Sequence, residues 1–399
     1  ADLPNWNSGA GPIAGGADFT ATLADVITGN RTITNDGRTI GNITAADTTH
    51  NYTISGSTLT LDVTSGSPTL SVPAGRTLTI GSVVAGTNGF TKTGDGTVTM
   101  SNQNTITGDV VISAGVVNFD CGNITFDTLS GSGDLLREAR NTTLSILDGS
   151  AFTGNLATGA GGNGQIIQFQ SMGDAVGSGN LITRGGSGDS NQNTRFRLYG
   201  DVGPVTFDNR AIEIGPKQST PKNWSAKITY LGNNNAIPAN AWVINTDLVN
   251  QTDRDHELTL EGSNTGDNTF AGVISDSTGI GGLGAFYSTQ TGGLSVIKEG
   301  AGKWILSGVN TYTAGATNTA AGVGTIVRAG TLVIGGAGQL GSGTYGESIS
   351  IASGTDLIFD SSATNSLTGP INGTGTLTQD GTGAVSYTHL TLPTRCHRC

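Results

Sequence analysis

Lys298-Glu-Gly-Ala-Gly-Lys-Trp-Ile-Leu-Ser-Gly-Val-Asn-Thr-Tyr-Thr-Ala314 decides the fold. Two glycines, Gly300 and Gly302, precede a period-2 run, Trp304-Ile-Leu306. The run closes on Ser307-Gly308 and then Asn310-Thr311-Tyr312. Apolar alternation at period 2, bounded by Gly and Asn, is the pattern of a short strand between turns. The same order recurs upstream as Lys92-Thr-Gly94-Asp-Gly96-Thr-Val-Thr-Met100, followed by Ser101 and Asn104-Thr105. Each copy leads to a second strand introduced by Ala-Gly: Ala329-Gly330-Thr-Leu-Val-Ile334 and Ala114-Gly-Val-Val-Asn-Phe119. One unit is therefore turn, strand, corner, strand. Leu377-Thr-Gln-Asp-Gly-Thr-Gly383 reads as a third, partial copy.

The flanking sequence keeps the same rhythm. Most of the runs Arg31–Thr34, Tyr52–Ile54, Leu59–Val63, Leu70–Val72, Leu78–Ile80 and Val110–Ile112 alternate Thr or Ser with Leu, Ile or Val. Asn35-Asp-Gly37, Ser65-Gly-Ser67 and Pro73-Ala-Gly75 separate some of them. One face of such strands is aliphatic and the other carries hydroxyls, which suits stacked coils with their aliphatics inward. Strands recurring at about ten-residue spacing admit a sandwich, a barrel or a β-solenoid. The low aromatic content, 6%, favours the solenoid. Thr194–Tyr199, Arg210–Ile214, Ala226–Tyr230 and Ala241–Ile244 extend the strands into the middle of the chain, with longer loops. Asp134-Leu-Leu-Arg-Glu-Ala-Arg140 alone reads as a helix, about two turns long.

Composition narrows the function classes. The chain has 399 residues, of which 64 are Gly, and 12% are charged. The glycines show no three-residue period, so the chain is not collagen-like. Asp outnumbers Glu 24 to 6, which favours turns over helix interiors. The formal net charge is −11 and no basic stripe exists. Nucleic acid and anionic membrane surfaces are thus disfavoured as partners. No apolar run approaches the ~18 residues of a transmembrane helix. The three cysteines, Cys121, Cys396 and Cys399, make no disulfide framework.

The repeated unit resembles the autotransporter-associated β-strand repeat of bacterial surface proteins. Residues 298–335 match its pattern closely and 90–119 moderately. The matching positions are Lys92, Gly94, Gly96, Asn104, Lys298, Gly300, Gly302, Trp304, Ser307, Gly308, Asn310, Thr311, Tyr312 and Gly330. The resemblance implies a right-handed parallel β-helix, exported to the bacterial cell surface without a cofactor. It also implies a translocation barrel or anchor outside this stretch of sequence, and a host, glycan or cell-surface ligand as partner. On this reading residues 1–385 form one solenoid. Its coils are regular over 20–130, less regular over 131–260 and repeat-bearing over 261–385. Residues 386–399 contain no Gly and resemble a translated adapter read-through, a non-native tail.

Motifs with chemical potential are few. Cys396-His-Arg-Cys399 has CxxC spacing but no second pair, and lies in that tail. Gly336-Ala-Gly-Gln-Leu-Gly341 matches GxGxxG, but Ser342-Gly-Thr-Tyr-Gly-Glu347 after it cannot start a good helix, so it reads as a corner loop. Asp253, Asp255, His256 and Glu257 are the densest polar cluster and the weak candidates for acid/base or cation chemistry; otherwise they form a solvated turn before Leu258. Arg195, Arg197 and Tyr199 share one strand face and would suit a sugar or an acid; otherwise that face is an exposed edge. Trp304 and Tyr312 are expected to cover apolar coil surface, and Cys121 to behave as a small buried hydrophobe.

The sequence therefore points to a structural display stalk with adhesive loops, and not to an enzyme. Two alternatives stand beside it. A β-helix polysaccharide lyase or glycoside hydrolase requires carboxylates from successive coils to converge. A glycan-binding module requires an exposed row of aromatic side chains.

Overall fold

The computed structural model describes residues 15–23, 27–159, 164–183, 193–200, 203–214, 228–251, 255–277, 292–315 and 322–391. They form a parallel β-solenoid: short strands return in register, and every strand pairing described is parallel. The only helix among them is a single 3-10 turn, Gly341–Gly343. None is long and apolar enough to cross a membrane. Two compact units divide the described residues. The first ends at Gly159 and includes Ser171–Gly179; the second holds the remainder.

In the first unit one ladder runs through Arg31–Asn35, Tyr52–Gly56, Thr77–Ile80, Thr97–Met100, Val116–Phe119, Asp134–Arg137 and Leu156–Thr158. Thr97 lies beside Thr77 and Val116, and Val116 beside Asp134, so successive coils take 20, 19 and 18 residues. Period-2 alternation then stacks like on like. Leu78, Val98, Val117, Leu135 and Leu156 form one buried column. Each such side chain contributes about 1.5–3 kcal/mol by leaving water. Thr53, Thr79 and Thr99 form the column on the outward face of the same strands.

In the second unit one ladder joins Val205–Phe207, Trp242–Ile244, Asn268–Phe270, Lys303–Leu306, Thr331–Gly336, Asp356–Ser361 and Thr376–Gln379. Coil length varies along it: Val205 meets Trp242 after 37 residues, Val243 meets Thr269 after 26, Thr269 meets Ile305 after 36, and Asp356 meets Thr376 after 20. Phe207, Ile244, Phe270, Leu306, Ile334 and Phe359 stack in register inside. Phe169, Phe207, Trp242 and Trp304 pack as a chain of tilted and edge-on rings, with neighbouring centroids 5.6–6.2 Å apart.

Two expectations from sequence fail in this framework. Asp134–Arg137 is a strand, not the start of a helix, and it pairs on both sides. A two-turn helix is too short to stand against two ladders that also bury Leu135. The partial third copy is displaced. Leu377 continues the column Trp304, Leu332, Leu357, so Leu377–Gly383 is the strand and the corner after it. The corner equivalent to the lysine-bearing one is Gly373-Thr-Gly375, with Ile371 where the repeat has its lysine. Gly-x-Gly serves more than one corner of a coil, so its spacing alone does not fix register.

Val385 and the first residues of the tail set apart from the fold, Ser386–Leu390, form a strand beside Asn365–Ile371. Its side chains are mostly exposed. Cys396 and Cys399 lie outside the described residues.

Candidate functional site

The two repeat copies build the same joint. Lys92 lies in the strand Phe90–Thr93 just before its corner, its side chain buried. Its ammonium donates to the carbonyl oxygens of Thr93 at 2.9 Å, Gly94 at 2.6 Å and Ala114 at 3.2 Å. Lys298 donates to Glu299 at 2.7 Å, Gly300 at 2.7 Å and Ala329 at 3.0 Å. Two acceptors belong to the lysine's own corner and the third to the Ala-Gly corner of the next coil. An ammonium has three donors and no acceptor, and this cage uses all three. Burial pushes both groups down, to about 8, against the weaker opposing pull of Asp95 and Glu299.

The glycines make the cage possible. Gly300 has φ +70° and Gly330 φ +67°, matched by Gly94 at +71° and Gly115 at +69°. Only Gly adopts this region without strain. A Cβ at Gly330 would also collide with the carbonyl oxygens of Gly302 and Gly300, as one at Gly115 would with those of Gly96 and Gly94. The motif therefore records a close approach of two successive backbone corners around one cation.

The remaining motif residues tie other corners. Asn310 Oδ1 accepts from the N–H of Ile274 in the preceding coil at 3.0 Å, and its Nδ2 donates to Gly308 O at 2.9 Å. Asn104 Oδ1 accepts from Val84 N–H at 3.0 Å, and its Nδ2 meets Cys121 Sγ at 3.5 Å. Asn365 repeats the arrangement, accepting from Leu340 N–H at 3.0 Å. The motif spacing alone misses it, yet Ser362 precedes it by the same three residues that separate Ser307 from Asn310. Ser307 and Thr311 bond through their backbone N–H groups to Phe270 O and Ile274 O. Trp304 is buried and donates Nε1–H to Glu261 O at 3.0 Å. Tyr312, also buried, shares Thr325 Oγ1 with Tyr345, the hydroxyl contacts being 2.8 and 3.0 Å. Burial pushes both phenols well above their ordinary range.

Arg137 is a further internal tie that its sequence context disguised as helix. Fully buried, it donates Nη1–H to Phe119 O at 3.0 Å and Nη2–H to Gly122 O at 2.8 Å. Cys121 is buried as expected, but against Arg137 and Asn104 and not in an apolar cleft.

Of the polar cluster, His256 and Glu257 do not lie in a solvated turn. Asp253 lies outside the described residues. Asp255 accepts from Gly293 N–H at 2.9 Å. His256 and Glu257 are buried in the strand His256–Gly262, and His256 Nε2 lies 2.9 Å from Thr229 Oγ1. Strand pairing to Leu294 and Ser295 draws them inward. Among the described residues no group of three His, Cys, Asp or Glu side chains is arranged to hold a metal ion.

Arg195 and Arg197 do share an outward face, on the strand Asn193–Leu198; Tyr199 follows the end of that strand. Tyr230 lies beside Arg195 in the next coil, and Glu261 lies two coils on from Arg197. Both guanidinium groups reach Glu261 Oε1, each at 3.3 Å.

An all-parallel solenoid with lysine-closed, glycine-lined corners agrees with the class that the sequence resemblance implies, the repeat-bearing passengers of bacterial autotransporters. Comparison with known proteins supports that class. The family model described as Passenger-associated-transport-repeat matches residues 90–119 and 296–334, the two segments that carry the lysine cages. The chain is 37% identical over 115 residues to the adhesin BmaC autotransporter of Brucella suis biovar 1 (strain 1330), covering 28% of this chain and 3% of that protein. It is 27% identical over 183 residues to the autotransporter adhesin/invasin TibA of Escherichia coli O78:H11 (strain H10407 / ETEC), covering 39% of this chain and 18% of that one. The chain thus spans a small part of both relatives. No solved structure matches. The protein is an exported, surface-exposed passenger segment.

Proposed function

We propose that this segment is a non-enzymatic adhesive scaffold: a stack of coils that holds binding side chains at the bacterial surface. The observation that carries the reading is the pair of identical lysine joints lying within the two matched passenger repeats. Joints of this kind add coils without adding reactive groups, which suits display. Two relatives that share the sequence are named adhesins, which supports the adhesive part. A polysaccharide-degrading reading asks for carboxylates free to act on a substrate. Glu261 and Glu299, on adjacent coils, are instead held by arginines, with Arg328 at 2.8 Å from Glu299.

The reading is tested with beads coated with the purified chain and added to cultured epithelial cells. Dose-dependent attachment, competed by the soluble chain, is expected. Attachment no greater than that of albumin-coated beads would refute the adhesive part.

A further inference from the structure

The outward face of the second unit holds one cluster that the passenger scaffold does not use. Arg195 and Arg197 lie two apart on one strand, so both point to the same side. Tyr230 stands beside Arg195 in the next coil, and the Arg195 guanidinium lies over its ring, 3.9 Å from the centroid. Gly232 stands beside Arg197, and Glu261 beside Gly232. With no side chain at Gly232, the Glu261 carboxylate folds back across the gap. A Cβ added at Gly232 would lie 3.1 Å from Glu261 Cγ and 3.2 Å from Oε1. The sequence Arg-x-Arg, a Tyr and a Gly in one coil, and a Glu in the next thus build a single surface.

The cluster is under-committed. Two guanidinium groups converge on one carboxylate oxygen, each at 3.3 Å, beyond the ~2.7–2.9 Å of a strong charge-assisted bond. Arg197 Nε has no hydrogen-bond partner. Both arginine side chains retain 24% of their exposure and Glu261 15%, so all three reach solvent. Glu299, the next carboxylate along this face, is occupied by Arg328. Two guanidinium groups thus share one carboxylate oxygen at a site lined by a stacked Arg–Tyr pair.

We propose that this cluster binds the carboxylate of an acidic sugar, a pyranose ring carrying a carboxyl group. The carboxylate replaces Glu261 on the Arg197 fork, where two parallel N–H bonds match its geometry. The C–H face of the ring lies against the Arg195–Tyr230 pair, and Glu261 accepts from a ring hydroxyl. This deepens the adhesive reading and rests on it. Sialylated glycans and polyuronides both present the required group.

The test is calorimetric titration of the whole chain with 3′-sialyllactose and with trigalacturonate, with lactose as the neutral counterpart. Binding of either acidic probe without binding of lactose is expected, and which one binds identifies the source of the sugar. R197A should weaken binding about tenfold or more, as loss of charge-assisted bonds implies. E261Q should strengthen it several-fold, because it removes the internal competitor for the arginines. A merely structural role for Glu261 would not give that gain. The proposal is overturned if neither acid binds, if lactose binds equally well, or if E261Q weakens binding as R197A does. Bead attachment that persists without acid binding sinks this site and leaves the adhesive reading standing. Acid binding without attachment does the reverse.

Discussion

Lys92 closes its cage on Ala114, 22 residues on; Lys298 closes an equivalent cage on Ala329, 31 residues on. The second coil is longer by about two fifths, yet acceptors, glycine dihedrals and depressed ammonium pKa agree. The joint is thus set by the corner and not by the length of chain between corners. That separation lets one unit differ from the other on its outer surface. In the first unit Thr53, Thr79 and Thr99 repeat along an uncharged column. In the second, a face of the same architecture carries Arg195, Arg197, Tyr230 and Glu261.

The comparison breaks most readily at its glycines. Gly330→Ala is expected to cost about 3 kcal/mol or more in urea unfolding, since dihedral strain adds to a backbone collision. Gly115→Ala should match it, because its dihedral and colliding oxygens are the same. Gly354→Ala is the control: its φ is +75° with nothing within 4 Å, so only strain of about 1 kcal/mol remains. Equal losses at all three positions would mean that the close approach contributes nothing.

Next in size are the lysines. K298M and K92M each leave three carbonyl oxygens without their donor, a loss of about 1–3 kcal/mol. Equivalence of the joints requires the two losses to agree. The asparagines should then separate the copies. Asn310 donates to a carbonyl oxygen whereas Asn104 donates to sulfur, a weaker acceptor. N310A should therefore destabilise more than N104A.

Asp47 has no counterpart at the lysine corners and gives the smallest effect. Burial raises its carboxyl, but the N–H groups of Thr49 and His50 and the Thr49 hydroxyl outweigh that and hold it at about 2. Its contribution is present above the ordinary carboxylate value of 3.8 and fades as pH falls toward 2. D47N should flatten the acid limb of the stability curve over that window by lowering stability at neutral pH, and leave stability near pH 2 nearly unchanged.

The coil architecture was legible because strand alternation is local and its periodicity survives any coil length. The corner motif was legible too, since Lys, two glycines and a later Ala-Gly recur in order. Its physical meaning was not, because the lysine's third acceptor lies a whole coil away and coil length varies. The same non-locality hid Arg137: Leu-Leu-Arg-Glu-Ala reads as helix until neighbouring strands bury alternate residues. It also hid His256 and Glu257, whose charge suggested solvent while pairing with Leu294 and Ser295 placed them inside. Arg195 and Arg197 were correctly placed on one face, but Glu261 lies 64 residues from Arg197, and only register brings them together.

The central claim, that both lysines are buried in the joints between successive coils, is tested most directly by urea unfolding at stepped pH. Wild type is compared with the K92M/K298M double variant. In the folded chain both ammonium groups sit at about 8, against 10.5 in the unfolded chain. Between these values the unfolded state holds protons that the folded state has shed, so wild-type stability rises with pH relative to the variant. The account predicts that difference curve to climb from pH 8 to pH 10. A flat or falling curve would contradict it.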